Sequence, residues 1–89
     1  MNVYIRKQDI ADGVRGSDQA CPVALALGRQ EAPGTRVWVF SPQVYVAPGE
    51  HDDPRLAFEL SPTAMQFVRD FDNGYVMCAT TLSLRRLRR

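Results

Sequence analysis

Eight consecutive residues, Ala20 to Leu27 (ACPVALAL), carry no charged side chain. A helix built from them has no wet face, and a helix without a polar stripe must be buried. Pro22 fits the first helical position, where its missing N–H would have no intrahelical partner anyway. Ser17 or Asp18 can begin the structure by capping free amides. The chain has 89 residues, enough for one modest core and too few for two. A hydrophobic content of 45% is too high for intrinsic disorder. The apolar runs are too short to span a bilayer, so no membrane partner is expected.

Around this helix the pattern reads strand, helix, helix, three strands, helix, strand. Asn2 to Ile5 alternates as a short strand, and Ile10 and Val14 sit four apart as one face of one or two helical turns that Gly13 and Gly16 stop. RVWVFSPQVYVA is the strongest strand signal, and Pro42, which cannot donate to a ladder, divides it in two. PGEHDDP, Pro48 to Pro54, is a polar loop. RLAFEL then alternates, with Leu56, Phe58 and Leu60 expected on one face. SPTAMQFVRDFDNG has both helix ends written: Ser61 as N-cap, Pro62 at the first position, Asn73 and Gly74 as the exit. Ala64, Phe67, Val68 and Phe71 form its buried stripe, with Gln66, Arg69, Asp70 and Asn73 on the wet side. YVMCATTLSL reads as the closing strand. The expected fold class is α+β: a single domain over 1–84 whose mostly antiparallel sheet of four to five short strands packs against two main helices, followed by a basic tail over 85–89.

That tail, RRLRR, contains Arg85, Arg86, Arg88 and Arg89. Setting those four aside leaves seven basic against ten acidic residues, so a body of net charge −3 carries a cationic end. The opening MNVYIRKQD lacks the order of a secretory signal, and cytosolic, reduced thiols are expected of Cys21 and Cys78.

Catalytic chemistry has few footholds. Cys21 stands just ahead of a helix, where free amides favour a thiolate, which makes it the best nucleophile candidate by position. Its partners are absent: a phosphatase-type loop needs an arginine six residues on, where Leu27 stands after Cys21 and Leu84 after Cys78, and neither cysteine has a second one two residues away. Cys21 therefore reads as a buried cap, with a cysteine-dependent enzyme as the minor alternative. His51, Asp52 and Asp53 cluster in one loop without the paired ligand spacing of a zinc site or the alternating oxygens of a calcium loop. GVRG is too short for a phosphate cradle. No catalytic residue, metal or cofactor is expected.

The stretches CPVALAL and LSPTAMQFVRDFDNGYVMCATTLSL, after a short helix ending in glycines, resemble small proteins of unknown function encoded by bacteriophages of actinobacteria. The resemblance covers the first and last thirds of the chain. It departs where a Pro-Phe pair is expected after Tyr75 and Val76 and Met77, Cys78 and Ala79 stand instead. It carries no assigned chemistry. It implies provenance: a protein made in the cytoplasm of an infected host bacterium, acting without catalysis by binding a host macromolecule, foremost a protein. The surfaces offered for this are Gln66, Arg69 and Asp70, the loop with His51 and Asp52, and a strand edge near Pro42. The alternative is nucleic-acid binding through Arg85, Arg86, Arg88 and Arg89, with Arg36 and Tyr45 or Trp38 nearby, a reading that needs an exposed aromatic platform. Homo-oligomerisation through a strand edge is compatible with either.

Overall fold

A computed structural model describes residues 1–87. The elements follow the expected order: β1 (Asn2–Ile5), α1 (Lys7–Asp12), α2 (Pro22–Gln30), β2 (Arg36–Phe40), β3 (Gln43–Ala47), β4 (Arg55–Leu60), α3 (Pro62–Asp72) and β5 (Thr80–Arg86). The strands form one antiparallel sheet in the order β1-β5-β4-β3-β2, an α+β fold.

The sheet curls because β5 divides its pairing. Thr80 to Ser83 pair with β1, whereas Leu84 to Arg86 pair with β4. The curl lets the apolar α2 touch both edge strands, β1 and β2. Val23, Ala24, Ala26 and Leu27 are buried against Val3, Ile5, Val37 and Val39 in one core, which α3 completes with Ala64 and Phe67 over Phe58, Leu60, Leu82 and Leu84. Phe58, on a central strand, is 1% exposed.

Side-chain bonds hold α2 against β1, and hydrogen bonds are taken up at both sheet edges. Gln30 accepts from the Tyr4 N–H (2.9 Å) and donates to Asn2 O (3.2 Å), and Arg29 donates to Tyr4 O (3.0 Å), so the outer edge of β1 is occupied. At the opposite edge the Val39 N–H donates to Asp18 O at 2.8 Å. Arg29 also pairs with Asp9 at 2.5 Å, and the buried Asp9 carboxylate accepts in addition from the Arg6 N–H at 2.8 Å. These anchors explain why α2 continues through Gly28 to Gln30 beyond its apolar run.

Four sequence expectations need correction. Val14 does not share a helical face with Ile10: α1 ends at Asp12, Gly13 is extended, and Val14 is exposed. A bulge opposite Val44 and Tyr45 switches the parity of β4, so Phe58 pairs with Val44, Leu56 pairs with Tyr45, and Ala57 rather than Leu56 packs against the core. Tyr75 to Ala79 lie outside the closing strand, with Val76 almost fully exposed. That strand instead runs on through Arg86, two residues into what reads as a tail.

Candidate functional site

Strand alternation decides what β2 and β3 show to solvent. Val37, Val39 and Val44 are buried in the core and Val46 packs against it, so the residues between them, Arg36, Trp38, Phe40 and Tyr45, point the other way. Among the described residues, the buried side chains of the strands meet α2 and α3 in a single core on the opposite side of the sheet. Trp38 pairs directly with Tyr45 across the ladder, and the Phe40 and Tyr45 rings meet edge to face, 5.9 Å apart at 73°. Trp38, Phe40, Tyr45 and Pro54 line a recess of about 390 Å³. Phe40 is 49% exposed, whereas the other three phenylalanines, Phe58, Phe67 and Phe71, are buried; Trp38 and Tyr45 are half-buried, and the exposed Tyr4 and Tyr75 lie elsewhere on the surface.

Arg36 ties the polar loop 48–54 to this face. Its guanidinium lies 5.1 Å from the Trp38 ring centroid and donates to Gly49 O (3.1 Å) and Asp52 O (2.8 Å). Its Nε is buried without a hydrogen-bond partner. Through that anchor His51, Asp52 and Asp53 stand beside the aromatic recess, lining with Pro48 and Arg55 a second one of about 400 Å³.

The other sequence-derived candidates fall elsewhere. Gln66 and Asp70 satisfy one another on α3 (2.7 Å), next to the exposed Arg69, and among the described residues no hydrogen bond joins this face to the loop carrying His51 and Asp52. Arg85 pairs with Glu59 at 2.6 Å, while the Arg86 guanidinium lies 5.0 Å from the Phe58 ring centroid. Neighbours on a strand point to opposite faces, so these two arginines do not form one stripe. Arg88 and Arg89 lie outside the described residues. The edge strand near Pro42 has its Val39 amide already taken by Asp18.

Cys21 is the N-cap of α2. Its sulfur accepts from the Ala24 N–H at 3.4 Å, and it is 3% exposed. Burial pushes the thiol pKa up, outweighing the amides that would lower it. A neutral thiol is a packing and capping group, not a poised nucleophile. Cys78 is exposed and also free.

Sequence reasoning named Trp38, Tyr45 and Arg36 only as companions of the arginine tail and passed over Phe40 and Pro54. The available signal was the strict alternation of valine with aromatic residues in RVWVF and QVYV. Compared with known protein families, curated proteins and solved structures, the chain matches none.

Proposed function

We propose that the protein is a non-enzymatic binding module whose outer β2–β3 face, centred on Trp38, Phe40 and Tyr45, docks a partner protein. The observation that carries this reading is the aromatic recess itself. Tryptophan and tyrosine anchors dominate the energetics of protein interfaces, and here two such rings, half-buried, line a surface recess on a hairpin beside the exposed Phe40. The resemblance to phage proteins supplies the setting, a host protein in the bacterial cytoplasm. The nucleic-acid reading loses support from the tail, because Arg85, beside Glu59, and Arg86, over Phe58, point to opposite faces of β5 and do not form one cationic stripe.

The test is affinity retention of bacterial proteins by a tagged copy, compared among the parent, Phe40→Asp, Tyr45→Ala and a Gln66→Ala/Asp70→Ala control, with folding checked by circular dichroism. A discrete protein retained by the parent and the control but lost with Phe40→Asp and Tyr45→Ala supports the reading. Retention lost with the α3 control and kept by the aromatic variants moves the site to α3. Recovery of nucleic acid in place of protein overturns the reading.

A further inference from the structure

Resting on that docking reading, we infer that the occupant of the aromatic recess is a basic segment of the partner, with an arginine or lysine side chain entering between Trp38, Phe40 and Tyr45. Three features converge. The first is the shape of the recess. Phe40 and Tyr45 stand nearly perpendicular and Trp38 faces Tyr45 across the ladder, so the walls offer aromatic faces in different orientations. A cation held against such walls can meet the negative face of a ring, the contact by which aromatic recesses favour ammonium and guanidinium groups.

The second is charge. Glu50, Asp52 and Asp53 bring three carboxylates into the loop that ends at Pro54, itself a wall of the recess. Against them stand Arg36 and Arg55, an excess of one negative charge. None of the three carboxylates is in an ion pair among the described residues. Arg36 lies close to them yet donates to the main-chain oxygens of Gly49 and Asp52, which leaves the carboxylates free for an incoming cation. The third is preorganisation. By gripping two carbonyls of the loop while lying over Trp38, Arg36 ties the acidic loop, whose Asp52 and Asp53 line the second recess, to the aromatic hairpin before any partner arrives, and it shows that the Trp38 ring accepts a guanidinium.

Trp38 is the only tryptophan, so its fluorescence reports on the recess directly. The intact protein is titrated with a tetra-arginine peptide, and in parallel with tetra-glutamate, a neutral leucine-containing peptide of equal length, and a ten-nucleotide thymidine strand. Expected is a saturable change with tetra-arginine alone. The affinity should fall about tenfold in Tyr45→Ala and several-fold in Asp52→Asn/Asp53→Asn, which keeps the Gly49 and Asp52 carbonyls that accept from Arg36, and it should weaken as sodium chloride is raised. No saturable change with tetra-arginine, an equal change with the neutral or acidic peptide or the oligonucleotide, or an undiminished affinity in the variants overturns the inference. If tetra-arginine fails while Phe40→Asp still abolishes retention of a protein partner, the docking face stands and only its occupant is wrong.

Discussion

Replacing Arg29 by Met should destabilise the protein more than replacing its partner Asp9 by Asn, although both changes remove the same ion pair. The asymmetry follows from burial. The Asp9 side chain is 6% exposed and that of Arg29 is 32% exposed. Without Arg29, the Asp9 carboxyl is left in a nearly dry position with one described donor, the Arg6 N–H, and Tyr4 O loses the Arg29 donor as well. Losing a hydrogen bond to a charged group costs about 1.5–3 kcal/mol, and breaking a fully buried pair about 3–5 kcal/mol. Because Arg29 is partly screened by water, about 2–3 kcal/mol is expected for Arg29→Met, which keeps the helix propensity and apolar bulk of the side chain. In Asp9→Asn the amide oxygen can still accept from Arg6, while Arg29 can turn to solvent and keep Tyr4 O, so the cost should be about 1 kcal/mol. Urea unfolding followed by Trp38 fluorescence measures both. In the Asp9→Asn background, Arg29→Met should cost less than it does alone, since no stranded carboxylate remains. An Asp9→Asn variant less stable than Arg29→Met, or strict additivity in the double variant, would refute the burial argument.

Phe67→Ala should cost roughly 3–5 kcal/mol, because it removes a ring that is 6% exposed from the contact of α3 with the sheet; thermal unfolding unchanged from the parent would place that ring outside the core. Iodoacetamide at neutral pH should label Cys78 rapidly and Cys21 only in denaturant, and mass spectrometry showing both labelled at similar rates would contradict the buried cap. With its folded pKa raised, Cys21 contributes its full stability below the ordinary thiol pKa and loses it as pH climbs toward the raised value, so Cys21→Ser, which still offers an oxygen to Ala24, should abolish that alkaline loss. If four tail arginines gripped duplex DNA, log affinity against log salt would slope at about −3.6; with Arg85 paired to Glu59 a shallow slope is expected, and the steep one, lost in Arg85→Ala/Arg86→Ala, would restore the nucleic-acid reading.

The order of elements was legible because local rules carry it. Ser61 caps α3 as its place before Pro62 suggests, accepting from the Ala64 N–H at 3.1 Å, and Gly74 takes the positive φ that ends the segment. Pro42 splits the central run into two strands as its missing donor requires. What failed was set by distant partners. Leu56 reads as a core residue by period-2 alternation, yet the bulge against β3 turns it to face Tyr45, and a bulge is visible only once the register is known. Arg85 and Arg86 read as a tail because charge suggests solvent, whereas main-chain pairing with Glu59 and Phe58 extends β5 through them.

The candidate site escaped the sequence for a related reason. A run such as RVWVF is apolar at nearly every position, and such runs ordinarily mark strands buried on both faces. The chain cannot complete that arrangement. Its helices gather on the inner side of the sheet because the apolar α2 must be wrapped to be buried, and the curl that brings β1 and β2 to it turns the aromatic side of the hairpin outward. Trp38, Phe40 and Tyr45 are thus patterned for a second layer that none of the described elements provides. A sheet face patterned for packing without a second layer in its own domain is the condition on which the proposed docking of another chain rests.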